Sequence, residues 1–251
     1  MKYGEVREAL FLRRKNRFVA DVMLPEAGEV AVHVKNTGRL RELLLPGARV
    51  ILAKADNPAR KTPYDLIGVY RKEKDGTERL FNIDSQAPNA VVREWLERQG
   101  FDLVRPEYTW GNSRMDFYME KQNGTKSPER YLMEVKGCTL DRDGIGYFPD
   151  APTERGVKHL HELAKASAAG YHAFLAFVIQ MEGVLEVRPN RPAYRFFISG
   201  PSSVRTAWKC GRKARAFGWM DKLAVRCQGL FFQACFFWRE RKADPAGPWV
   251  S

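Results

Sequence analysis

The chain has 251 residues, 44% of them hydrophobic and 29% charged, and a formal net charge of +12. That length suffices for one large domain or two small ones, each with a core, and no run approaches the roughly 20 apolar residues of a membrane-spanning helix. Four cysteines with no close pair exclude a disulfide framework and give no zinc pattern.

Met1–Leu10 has no uninterrupted apolar stretch, so no signal peptide is expected. Asn123-Gly-Thr125 fits a glycosylation sequon but reads better as a turn. A reduced, cytoplasmic, non-membrane protein is the expectation. The charge is uneven. Residues 1–80 hold 17 Lys/Arg against 11 Asp/Glu, residues 81–190 hold 13 against 16, and residues 191–251 hold 12 against 3. A basic first third attracts phosphate backbones, while carboxylates in the middle can hold a metal.

In chain order, Phe18–Leu24, Val30–Val34, Arg49–Ala53 and Leu66–Tyr70 are β-branched runs bounded by Gly, Pro and Asn, which predicts strands. Several short strands within 1–80 predict an OB-like barrel. Pro88 suits a first helical turn, and Val91, Val92, Trp95 and Leu96 share a face, so a helix follows, with Gly100 as its stop. Leu103–Trp110, Ser113–Glu120 and Tyr131–Val135 have strand character, with the hairpin signal Asn123-Gly124 between the last two. A helix over Thr153–Ala169 and a buried strand over Ala173–Ile179 complete the order αβββαβ across 81–190. The fold class is α+β: the barrel, then an α/β domain.

Asp116 falls within a strand, and Glu134 and Lys136 fall on the next. Strand side chains alternate, so Glu134 and Lys136 point the same way. If the hairpin pairs the two strands, Asp116 reaches the same edge. Two such carboxylates bind Mg²⁺ or Mn²⁺, and the metal polarises a phosphate oxygen and sharpens a water nucleophile. Lys136 then orients that water or neutralises transition-state charge. Glu-X-Lys alone is common on solvated strand edges. The ordered combination of Asp, hairpin, Glu-Val-Lys and a following basic helix is the pattern of PD-(D/E)XK nucleases.

Glu107 is a candidate third metal carboxylate, while Glu94 sits away from the apolar stripe of its helix and reads as solvated. On the second helix a wheel places Val157, Leu160, Leu163 and Ala164 in the buried stripe. Arg155, His159 and Glu162 fall opposite, with Lys158 at the margin. Arg155 and His159 would face phosphates near the helix N-terminus. In the first domain, the basic run Arg13-Arg-Lys-Asn-Arg17 with Phe11 and Phe18, and the loops Lys35–Arg39 and Asn57–Lys61, suit nucleic acid. Phe11 and Phe18 serve equally well as core.

Arg17-Phe-Val-Ala-Asp-Val22, His33-Val-Lys-Asn-Thr-Gly38, Arg114-Met-Asp-Phe117, Glu134-Val-Lys136, Tyr147-Phe-Pro-Asp-Ala151 and Thr153-Glu-Arg-Gly-Val-Lys-His-Leu160 arrive in one order. In these the chain, over about residues 1–188, resembles the sugar fermentation stimulation protein family, SfsA. The resemblance implies an OB-like N-terminal domain, a PD-(D/E)XK nuclease-like C-terminal domain, non-specific DNA binding and a link to sugar (maltose) metabolism. It places Asp116, Glu134 and Lys136 at the nuclease-type positions and Arg155, Lys158 and His159 in the basic helix motif.

Residues 191–251 depart from that pattern. They hold Cys210, Cys227 and Cys235 and four of the six tryptophans, with almost no acids and no clean amphipathic spacing. This tail is read as translated out of the family's frame, and its rival is a basic aromatic extension that binds nucleic acid.

The sequence thus leads to a DNA-binding protein with a Mg²⁺ or Mn²⁺ site at Asp116, Glu134 and Glu107, and with Asp116, Glu134 and Lys136 as the catalytic group. Arg13, Arg14, Lys15, Arg17, Lys35, Arg155, Lys158 and His159 are the expected nucleic-acid contacts. The alternatives are a non-catalytic DNA-binding regulator of sugar metabolism and a protein acting on a small phosphorylated or sugar ligand.

Overall fold

The computed structural model describes residues 1–124, 127–150, 154–184 and 186–190, with the backbone of Leu223–Cys227 and Leu230–Trp238. Thr125 of the sequon, the expected helix start at Thr153 and most of the tail, on which the reading-frame expectation falls, lie outside these residues.

Strands β1 (Val6–Arg14), β2 (Val19–Leu24), β3 (Gly28–Val34), β4 (Arg49–Lys54), β5 (Tyr64–Lys72) and β6 (Glu78–Asn82) form one sheet in the order β3-β2-β1-β4-β5-β6. A parallel pairing of β3 with β5, His33 to Asp65 and Val34 to Leu66, closes the first five into an OB-like barrel. Alternate residues point inward: Ala20, Val22 and Leu24 on β2 and Val32 and Val34 on β3 are buried together with Phe11, Val50, Leu52 and Leu66. Irregular register between Phe11 and Arg13 and between Ile51 and Leu52 supplies bends for closure. The basic run therefore begins on a strand, since Arg13 and Arg14 end β1. Phe11 belongs to the core, and Phe18 is exposed.

The second part runs α1 (Ala87–Leu96), β7 (Leu103–Trp110), β8 (Ser113–Lys121), β9 (Glu129–Cys138), β10 (Leu140–Arg142), β11 (Ile145–Phe148), α2 (Glu154–Ala168), β12 (His172–Ile179) and β13 (Val187–Pro189). The expected αβββαβ order is present, with the β10–β11 hairpin inserted before α2. With β14 (Leu223–Cys227) and β15 (Leu230–Trp238), the main sheet has the order β14-β15-β12-β9-β8-β7. Within it β9 and β12 run parallel. α1 covers one face, packing Val91, Val92 and Trp95 against Phe117, Met133, Val135 and Phe174. α2 covers the other, where Leu163 and Ala166 meet Met115, Tyr118 and Leu132. Among the described residues no helix is long and apolar enough to cross a membrane.

Barrel and sheet share cores. Ile51, Ile67 and Leu80 of the barrel pack with α1, and Cys138, Ile179, Met181 and Val184 join the barrel interior cluster. An ionic latch adds to this: buried Asp141 on β10 takes Arg71 at 2.7 Å and Arg79 at 2.9 Å.

The face of α2 differs from the wheel. Gly156, His159, Glu162, Leu163 and Ala166 are buried, whereas Val157, Leu160 and Ala164 are half-buried. Polar side chains enter a core when partners await them. His159 meets a carboxylate of β9, and Glu162 pairs with Lys165 at 2.8 Å.

Candidate functional site

The site begins at a fork in the sheet. β8 and β9 pair from Lys121–Glu129 up to Phe117–Met133, where their ladder ends, while β8 stays paired with β7 as far as Trp110–Ser113. Asp116 is the first residue past the fork. Met115 packs under α2 and Phe117 under α1 although they are two apart, so the strand turns over at Asp116. The Val135 N–H, deprived of the backbone acceptor a continuing ladder would offer, donates to Asp116 Oδ2 at 2.6 Å. Asn89 Nδ2 on α1 donates to Asp116 Oδ1 at 2.7 Å.

Glu134 is 2% exposed. Its Oε1 accepts both Lys136 Nζ and His159 Nδ1. Its Oε2 is buried with no partner among the described residues. The cleft between the parted strands has a volume of about 170 Å³, and Glu107, Asp116, Glu134, Lys136, Arg155 and His159 line it together with Arg114. The three proposed catalytic side chains, the third carboxylate and one cation of the helix motif are thus brought to one place.

Electrostatics separate the two carboxylates. Burial, and then the Glu134 charge, push Asp116 above the usual aspartate range. Burial also works to raise Glu134, but the hydrogen bonds and charges of His159 and Lys136 outweigh it and hold that carboxyl below its usual range. Two carboxylates in one cleft, Glu134 buried and Asp116 half-buried, repel each other, and a cation between them relieves that repulsion. Glu107 faces Asp116 across the strands, between the pairs Pro106–Phe117 and Tyr108–Met115. Its backbone has φ +53°, a conformation costing about 1–3 kcal/mol for a non-glycine residue and found at ligand clamps. Its exposed carboxylate lies 3.6 Å from Arg114. Among the described residues no three His, Cys, Asp or Glu side chains converge into a ready metal shell.

The other expected contacts divide by partner. Arg13 pairs with buried Asp21 at 2.7 Å and also with Glu29, and Lys15 pairs with Asp21 at 2.8 Å. Lys35 pairs with buried Asp84 at 3.0 Å. Arg14 spends its guanidinium on the carbonyls of Asn16, Arg17, Asn36, Gly38 and Arg39, at 2.6–3.1 Å. Arg17 is exposed, beside the half-exposed Phe18. Lys158 turns away from the cleft, donating to Asn112 O at 2.8 Å. His159 is buried against Glu134 instead of facing solvent phosphates. Glu94 lies outside the cleft and pairs with the Met1 amino group.

Sequence reasoning missed Asn89, because one polar residue on an amphipathic helix carries no signal of what it will face. The β10–β11 hairpin did carry one, the dipeptide Asp143-Gly144. Both residues have positive φ, as a two-residue turn of this kind requires.

Fold and site define a protein in which an OB barrel is joined to an α/β sheet whose forked central strands carry paired carboxylates and a lysine. Residues 12–77 match the SfsA N-terminal OB domain, and residues 86–216 match the sugar fermentation stimulation protein RE domain. A sugar fermentation stimulation protein homolog of Desulfitobacterium hafniense is 50% identical over 200 residues, covering 78% of this chain and 83% of that protein. One from Ruminiclostridium cellulolyticum is 43% identical over 215 residues, covering 84% and 89%. The solved structure of Pyrococcus furiosus SfsA in complex with Ca²⁺ is similar with a TM-score of 0.68 and 25% identity, covering 84% of this chain and 87% of that one. The chain belongs to the sugar fermentation stimulation protein family.

Proposed function

We propose that this protein binds DNA without sequence specificity and hydrolyses phosphodiesters at the forked-strand cleft, as a PD-(D/E)XK-type nuclease using Mg²⁺ or Mn²⁺. The observation carrying this reading is the meeting of the half-buried Asp116 with the buried Glu134 at the fork, the latter with a buried oxygen that lacks any partner among the described residues. A divalent cation takes oxygen ligands and keeps waters, so Asp116 and Glu134 would hold it, with Glu107 able to join from the opposite strand. The Ca²⁺ complex of the Pyrococcus furiosus relative supports a divalent ion in this family.

When bound, the cation supplies positive charge at the phosphate and lowers the pKa of a water nucleophile. The chain's own groups do the rest. His159 engages one oxygen of Glu134 and leaves the other for the cation. Asn89 and the Val135 N–H fix the Asp116 carboxylate. Lys136, on the same face as Glu134, positions the attacking water and balances charge developing on the phosphate. Arg155 and Arg114 at the cleft hold phosphate oxygens. On the barrel, the exposed Arg17 with Phe18 offers a cation and a stacking ring. Arg13, Lys15 and Lys35 keep partly solvated charges beside their carboxylate partners.

One observation favours a second reading, a DNA-binding regulator of sugar metabolism with a vestigial site. Lys136 already forms an ion pair with Glu134, and His159 hydrogen-bonds the same oxygen. Calorimetric titration with Ca²⁺ and Mg²⁺ separates the two. The nuclease reading expects saturable binding weakened at least tenfold in Asp116→Asn and Glu134→Gln. Absent or unchanged binding in all three proteins favours the regulator.

A further inference from the structure

A second cavity of about 170 Å³ lies at the carboxyl ends of the parallel strands β9 and β12, lined by Gly137, Cys138 and Thr139, by Gln180, and by Asn36, Leu40, Ser85, Pro88, Tyr147, Phe148 and Asp150. Carboxyl ends of parallel strands are where open α/β sheets hold ligands. We propose, resting on the nuclease reading above, that this cavity receives one unstacked base of the bound strand. The substrate is then a strand with an unpaired nucleotide beside the scissile phosphate, not an intact duplex.

Three observations carry this. The first is adjacency: Lys136 lines the cleft and Gly137 lines the cavity, and consecutive Cα atoms stand about 3.8 Å apart. Alternation turns the Lys136 side chain and the Gly137 Cβ direction to opposite faces of β9, so a strand with its phosphate at Lys136 brings its next nucleotide to the cavity over the end of β9, where Ser85 and Gly137 are exposed.

The second is Gly137 itself. A Cβ there would lie 2.2 Å from Gln180 Oε1 and 3.1 Å from Pro88 Cγ. The Gln180 amide cannot retreat, because its Nε2 donates to Asn82 O, Asn82 Oδ1 and Asp84 O. Only glycine keeps the opening next to the lysine.

The third is the lining. The half-buried Tyr147 and Phe148 and the apolar Leu40 and Pro88 suit a planar ring. The Thr139 hydroxyl has no partner among the described residues. Ser85 Oγ donates to Lys35 O and keeps accepting capacity. Asn36 Nδ2 donates to Ile83 O at 2.9 Å and keeps a second N–H. Donors and acceptors between flat apolar walls recognise the edge and faces of a base. The size agrees: the cavity is well below the roughly 300–1,000 Å³ of drug-sized ligand sites, so it suits one heterocycle and not a base pair.

The cavity also connects to the barrel. Asn36 and Leu40 belong to the loop whose carbonyls Arg14 clamps together with that of Arg17.

The test plugs the cavity from two walls in the full chain, with Thr139→Trp and, separately, Ser85→Trp. Affinity for a fluorescent single strand and for the blunt duplex of the same sequence is measured by anisotropy in EDTA, alongside cleavage in Mn²⁺. The unmodified chain is expected to prefer the single strand at least tenfold. Each plugged variant should lose that preference, keep its duplex affinity and melt at an unchanged temperature. Loss of preference without cleavage by any protein leaves the base pocket standing and removes the nuclease. Metal-dependent cleavage and strand preference that are equal in the unmodified chain and both variants overturn the base pocket and leave the nuclease standing. Equal affinity of the unmodified chain for strand and duplex overturns the base pocket outright.

Discussion

Asn89 and Asp116, 27 residues apart in the chain, meet at 2.7 Å, the amide of the first helix donating to the carboxylate at the fork. With the Val135 N–H on the other oxygen, each Asp116 oxygen accepts a hydrogen bond that holds the carboxylate in place. Such outer partners typically contribute 10- to 100-fold to metal affinity or activity. Asn89→Leu should therefore weaken Mn²⁺ binding by about that factor, as measured by calorimetry, with little change in DNA affinity in EDTA. Unchanged Mn²⁺ affinity would remove Asn89 from the site.

Basic residues of the barrel should separate into two kinds. Arg14 bridges two loops through five carbonyls, and lysine cannot reproduce a planar fork. Arg14→Lys and Arg14→Ala are both expected to lose about 2–4 kcal/mol in urea unfolding, given roughly 1.5–3 kcal/mol for a hydrogen bond to a charged group and partial rescue by water. Arg17→Ala should leave stability within about 0.5 kcal/mol while weakening DNA binding and making its salt dependence shallower. Equal effects of the two positions on unfolding contradict this division.

Gly137→Ala adds a methyl group where Gln180 and Pro88 leave no room. Overpacking of this kind costs about 1–3 kcal/mol, and the strain falls next to Lys136. A lowered melting temperature together with reduced cleavage is expected. Gly137→Ala combined with Gln180→Ala, which removes the obstructing amide, should recover part of the packing cost.

Burial pushes the Cys138 thiol up to about 12. In the native protein it stays protonated at pH values where an ordinary thiol, near 9, has already ionised, and the thiolate is the reactive form. Iodoacetamide at pH 9 should leave Cys138 unmodified in the folded chain and modify it after denaturation, read by peptide mass mapping. Because the unfolded chain gives up this proton first, the same group makes the fold lose stability as pH rises from about 9 towards 12. Rapid native labelling of Cys138 at pH 8 contradicts the burial.

The strands of the barrel and the two helices were legible because their apolar residues recur at the period of their element. β1 escaped because Val6–Arg14 exposes charged residues on its outer side and ends in the basic pair that reads as loop. The face of α2 was misread for a related reason. His159 and Glu162 count as solvent-seeking on any apolar scale, and only the partners brought by β9 and by the helix itself explain their burial. Asp116, Glu134 and Lys136 could be placed on one edge from strand alternation and a hairpin signal. The fork that turns Asp116 toward Val135, the amide of Asn89 and the cavity behind Gly137 depend on contacts between distant segments, which local patterning does not contain.

The cleft of Asp116, Glu134 and Lys136 is proposed to cut phosphodiesters. The most direct test incubates the purified chain and Glu134→Ala with plasmid and single-stranded DNA in Mg²⁺, Mn²⁺ or EDTA. Cleavage by the unmodified chain in Mn²⁺ or Mg²⁺, abolished by EDTA and by Glu134→Ala, is the predicted result. DNA binding that is equal in both proteins, with no cleavage under any condition, would contradict it and leave the cleft as a relic of the fold.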